Sequence, residues 1–145
     1  MALDVEGTIL TITGMGIAPY SARGLSQQIA PITEASNLRR SINGRAMNWS
    51  HAQFQKYATK ITCTDMNVPA LDGIWPGQEF TMECACNLAH HMYAAPQRPV
   101  VEGSDYQEGE FIFYRPVLEV QFVNFDYPFD EWGAKVGWTM DFVEV

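Results

Sequence analysis

Short stretches in which apolar or β-branched residues alternate with polar ones recur along the chain. A side-chain period of two marks strands that bury one face. The stretches are 8–13 (TILTIT), 60–64 (KITCT), 79–88 (EFTMECACNL), 110–123 (EFIFYRPVLEVQFV) and 134–145 (AKVGWTMDFVEV). Pro, Gly and Asp gather in 68–78 and 94–109, which predicts loops there, the second an exposed excursion. In 38–49 (LRRSINGRAMNW), Asn43-Gly44 separates two runs that can be strands. Both central residues of a type I′ turn need positive φ and this pair supplies them, so a hairpin is expected at 38–49. Helical patterning is sparse: 50–58, opened by Ser50 as N-cap, and a weaker turn around 21–30 are the candidates. The expectation is a mainly β chain, with 1–145 forming one antiparallel β-sandwich or barrel carrying one or two short helices.

With 145 residues, 47% of them hydrophobic and 12% aromatic, the chain can close a core without a disulfide or metal staple. Asp4 and Glu6 stand where a signal peptide needs positive charge, and no apolar run is long enough to cross a bilayer. Export is therefore not expected. The three cysteines are read as reduced thiols of a cytoplasm rather than a disulfide framework. The net charge of −8 falls entirely on residues 102–145, where ten acids face only Arg115 and Lys135. Residues 1–101 carry seven acids and seven bases. An acidic third of this kind argues against nucleic acid as a specific ligand.

The densest cluster of potential ligands is ECACNLAHHMY (83–93), with Cys84, Cys86, His90 and His91. Structural zinc sites space paired thiolates two to four residues apart and supply a second pair. Here the cysteines are one residue apart and the histidines adjacent, so the expected reading is a strand whose Phe80, Met82, Cys84, Cys86 and Leu88 share one apolar face. Gly14 and Gly16 suit a tight turn rather than a phosphate loop, because no helix pattern follows them. No nucleophile elbow, P-loop or H-E-x-x-H occurs. Asp126, Asp130 and Glu131 carry enough carboxylate for a calcium ion, but their spacing fits a solvated turn better. No catalytic residue, metal ligand or cofactor is assigned.

The bases also cluster: Arg39, Arg40, Arg45, Lys56 and Lys60 lie on or beside the expected hairpin. The Asn43-Gly44 turn after paired arginines, Lys56-Tyr57 leading into ITCTD, the DGIWPG loop, FYRP at 113–116 and EWGAKVGW at 131–138 give 38–84 and 98–145 their character. Those stretches resemble uncharacterised structural proteins of tailed bacteriophages. None of these motifs is catalytic, so the resemblance implies a setting, the virion, after synthesis in the bacterial host cytoplasm.

The expected function is a non-enzymatic virion subunit, a tail or head-to-tail component assembling into rings with itself and with other virion proteins. A capsid decoration protein is the alternative within that class. An enzyme or metal-binding module on Cys84, Cys86, His90 and His91, or a host-directed phage protein outside the particle, are the readings from other classes. No membrane partner is expected, and DNA only in passing, should the acidic third line a tail lumen. A basic cluster and an acidic third give one subunit two unlike surfaces, which favours heterologous, ring-closing contacts. The expected interface pairs Arg39, Arg40 or Arg45 of one subunit with Glu108, Glu110, Asp126, Asp130 or Glu131 of the next.

Overall fold

In residues 57–65 the side chains of Thr59, Ile61, Cys63 and Asp65 are buried, while those of Lys60, Thr62 and Thr64 are exposed. This is the period-two burial of a strand with one wet face, and the same logic builds most of the molecule. The computed structural model describes residues 9–15, 21–32, 38–48, 53, 55–132 and 135–145. Its strands are β1 (Thr11–Thr13), β2 (Ser26–Pro31), β3 (Leu38–Arg40), β4 (Ala46–Asn48), β5 (Tyr57–Asp65), β6 (Glu79–Glu83), β7 (Leu88–His91), β8 (Tyr106–Glu108), β9 (Phe111–Tyr114), β10 (Val117–Asp126) and β11 (Val136–Glu144). No helix among the described residues is long and apolar enough to cross a membrane.

The fold is mainly β and antiparallel, as expected, and sandwich-like. Six strands form one sheet in the order β1-β6-β10-β11-β5-β2; β7-β9-β8 make a second sheet and β3-β4 a separate hairpin. The six-stranded sheet curls around a core that includes Ile61, Met82, Leu118, Val120, Phe122, Trp138, Met140 and Phe142. Its outer strands β1 and β2 do not pair, so the barrel alternative is not realised. Side chains bridge the core instead. Gln27 Nε2 on β2 lies 3.5 Å from Met82 Sδ on β6, and Trp138 Nε1 donates to Ser21 O at 2.6 Å. Among the described residues every buried side-chain nitrogen and oxygen has a hydrogen-bond partner, as a water-excluded core demands.

Several expected boundaries move. The turn around 21–30 is not helical: Ser26–Pro31 pairs with β5 along its whole length. Of the helix expected at 50–58, residues 50–52 and 54 lie outside the described residues, and Tyr57 and Ala58 belong to β5. The single strand expected at 79–88 divides, because Glu83 pairs with Val117 and Leu88 with Tyr114. Four residues, Cys84 to Asn87, therefore face only Arg115 and Pro116. Pro116 has no N–H to give to a ladder, and it is at this proline that the stretch 110–123 also divides, into β9 and β10. The chain then continues as a smaller lobe, β7-β9-β8, the last strand arising inside the expected loop 94–109.

The hairpin at 38–49 forms, with Arg39 opposite Met47 and Arg40 opposite Ala46, but its turn is not the two-residue type I′. Gly44 N donates to Ser41 O at 2.9 Å and Ser41 N to Arg45 O at 2.8 Å, leaving Ile42, Asn43 and Gly44 as a three-residue loop. Gly44 has φ +79°. It supplies the left-handed residue that such a loop requires at its third position.

Candidate functional site

Register places the charged elements relative to one another. β2 ends at Pro31 opposite Tyr57, where β5 begins, so the segment carrying β3-β4 is rooted at this end of the sheet. The β7-β9-β8 lobe leaves from the same end, through Glu83 and Val117. Arg98 in the lobe's loop ties the two together. Its guanidinium grips Glu144 in a two-pronged ion pair, with Nη2 to Oε1 at 2.8 Å, and also donates to Gln55 O at 3.0 Å. Glu144 Oε1 accepts Tyr57 N–H at 3.0 Å, and the guanidinium carbon lies 5.2 Å from the Tyr57 ring centre. The cleft of about 460 Å³ beside this cluster, lined by Pro31, Lys56, Tyr57 and Arg98 among others, thus has its strongest cation already neutralised.

At the other end β5 finishes at Asp65 and β10 at Asp126, and the loop segments 66–78 and 127–132 lie beyond them. Asp65 is held by Arg23, whose backbone N donates to Oδ2 at 2.8 Å and whose Nη2 donates to Oδ1 at 2.9 Å. The Arg23 guanidinium lowers the carboxyl pKa to about 2. Nine residues of β5 separate the two ends, roughly 25 Å at about 3.3 Å per residue.

The interface candidates divide between these ends. Arg39, Arg40 and Arg45 all lie on the hairpin and all are exposed; Arg40 Nη1 donates to Gly44 O at 2.9 Å, inside its own turn. Glu108 and Glu110 lie in the lobe, at the hairpin's end of the sheet, with Glu110 Oε2 3.6 Å from His91 Nε2. Asp126, Asp130 and Glu131 are at the opposite end, exposed, with Asp130 Oδ1 accepting Trp132 N–H at 3.1 Å. The acids do not form one surface.

Sequence reasoning missed what lies beside the second acidic set. Val68, Pro69, Ala70, Leu71, Asp72, Ile74, Trp75, Phe125 and Tyr127 line a groove of about 440 Å³. Trp75, Phe129 and Trp132 are largely exposed nearby in chain order. The DGIWPG loop was the available signal, since a tryptophan in a loop this rich in Gly and Pro has little chance of reaching a core. The tip of the hairpin carries a fully exposed Ile42, also unremarked in the sequence.

The cysteine and histidine cluster is dispersed. Cys84 is buried in the core, as expected; Cys86 is half-buried beside it in the irregular segment. Hydrogen bonding between them and burial raise the Cys84 thiol pKa, while the bond from Cys84 lowers that of Cys86. His90 and His91 follow each other on β7, His90 set edge-on to Tyr114 and His91 stacked on Tyr93. Among the described residues no three His, Cys, Asp or Glu side chains converge as metal ligands would. In comparisons with known proteins, no protein family, curated protein or solved structure matches the chain.

Proposed function

We propose that this chain is a non-enzymatic structural subunit of a tailed-bacteriophage particle, a tail or head-to-tail component that repeats in rings. The observation that carries the reading is polarity. An exposed hairpin with three arginines and no acid is rooted at one end of the sheet, and three exposed acids with a run of exposed aromatics occupy the other. Two unlike ends on one chain suit a heterologous contact, which closes a ring when its rotation permits and otherwise extends as a filament. The resemblance of residues 38–84 and 98–145 to phage structural proteins supports the setting.

Eight of the ten acids in residues 102–145 are exposed. Either acidic set, at its own end of the sheet, repels DNA and would let it pass without sticking if it lined a lumen. The test is mass spectrometry of purified particles. A copy number in the tens or more is the expected result, and absence of the chain from particles overturns the proposal.

A further inference from the structure

The groove at the acidic end is apolar and open, and the question is what fills it. Its walls are the loop 68–75 and the rings of Phe125 and Tyr127. The charged residue in its wall is Asp72, and three more exposed acids lie in the adjoining chain, Asp126 at the end of β10 and Asp130 and Glu131 just after it. The cations at this end of the sheet belong to another cleft, which Arg23, Asp65 and Lys135 share.

The complementary element is on the same molecule. The hairpin presents Arg39 and Arg40 on β3 and Arg45 just before β4, and between them an isoleucine with its whole side chain in water. Residues 38–48 include no acid. Among the described residues the hairpin packs extensively against no other strand, so no described strand accounts for the exposed Ile42. An apolar knob flanked by arginines matches in sign an apolar groove that has Asp72 in its wall and further exposed carboxylates in the adjoining chain. Knob and groove are rooted at opposite ends of a nine-residue strand, which is what a contact repeated from copy to copy needs.

We infer that the β3-β4 hairpin of one copy docks into the 68–75/125–127 groove of the next, with Ile42 as the apolar anchor and Arg40 and Arg45 facing Asp72, Asp126, Asp130 and Glu131. This deepens the subunit reading above and rests on it for its biological setting. It also selects between the two acidic sets, since Glu108 and Glu110 lie at the hairpin's own end. The apolar contact supplies most of the affinity, and the rim charges fix register and speed association.

The experiment replaces Ile42 with the photocrosslinking residue p-benzoylphenylalanine and mixes this chain, unlabelled, with a ¹⁵N-labelled wild-type chain. Irradiation at high protein concentration is followed by peptide mapping. The expected product joins residue 42 of the light chain to residues 68–75 or 125–127 of a heavy chain. Adding Arg45→Glu should lower its yield by about two- to fivefold, the range open to an exposed ion pair, and Asp130→Arg in the heavy chain should restore it. Crosslinks to residues 106–110, crosslinks confined to one chain, or no dimer overturn the inference. The particle reading is decided separately by mass spectrometry of virions. A groove crosslink from a chain missing from particles would sink that reading and leave this contact standing.

Discussion

Gln27 on β2 and Met82 on β6 meet across the core, Nε2 to Sδ at 3.5 Å, although three strands, β10, β11 and β5, stand between β6 and β2 in the sheet order. Nε2 also donates to Thr59 Oγ1 at 3.0 Å, and Oε1 accepts Ala85 N–H at 2.7 Å. One amide thus stitches an edge strand to the irregular segment after β6. Gln27→Leu leaves the Ala85 N–H without its partner in a part-buried site, and should lower unfolding free energy by about 1–3 kcal/mol. Chemical denaturation measures this, and an unchanged midpoint would mean the stitch adds nothing.

Asp65 predicts an acid limb to stability. Its folded pKa of about 2 lies below the ordinary 3.8 because Arg23 donates to the ionised carboxylate. A depressed carboxyl pKa stabilises the fold above the unfolded value, and that stabilisation is lost as pH falls through the folded one. Stability should therefore drop between about pH 4 and pH 2. Asp65→Asn should flatten this limb and cost roughly 1–3 kcal/mol at neutral pH, reflecting the charged hydrogen bonds lost. Thermal unfolding across that pH range checks both.

Thiol chemistry should separate the three cysteines. Burial raises the Cys63 pKa, with Asp65 adding to the effect, and Cys84 is buried with its pKa raised too. Cys86 is half-buried with its pKa lowered by the Cys84 hydrogen bond. Thiolate is the reactive form, so alkylation of native protein near neutral pH should modify Cys86 first, with Cys63 and Cys84 reacting on unfolding. Peptide mass spectrometry gives the order.

Gly44→Val tests the turn. No atom lies within 4 Å of an added Cβ there, so the cost is that of forcing a β-branched residue to φ +79°, roughly 1–3 kcal/mol. Because among the described residues the hairpin packs extensively against no other strand, that cost should appear as faster amide exchange at Gly44 and Arg45, with the global unfolding midpoint little changed. Gly44→Asn should be milder, since asparagine tolerates the left-handed region.

What the chain disclosed about itself follows the range of each interaction. Alternation in ITCT and in EVQF announced β5 and β10, because one-sided burial is written into neighbouring residues. β2 stayed hidden, since SQQIAP turns a glutamine inward and only partners distant in sequence, Thr59 and the Ala85 and Cys86 amides, make that tolerable. β8 is three residues long and exists by leaning on β9. The charge count put the net charge in residues 102–145, where eight of ten acids are exposed, yet their division between two ends is a matter of strand register, which composition does not carry. Arg98 and Glu144 are 46 residues apart, and nothing local marks them as partners.

The two irregularities in the strand pairing differ in parity, and that decides what each does to the faces. Between the pairs Glu83–Val117 and Leu88–Tyr114 one chain advances five residues and the other three, a surplus of two, so inward and outward positions stay in phase through it. In β10 the ladder steps from Phe122 opposite Phe142 to Asn124 opposite Asp141, a surplus of one. Every later side chain on that strand changes sides, and burial passes from Leu118, Val120 and Phe122 to Phe125 instead of Asn124. That odd step sets Phe125 beside Phe122 and against Tyr127, so a single inserted residue, Val123, gives the groove its aromatic wall.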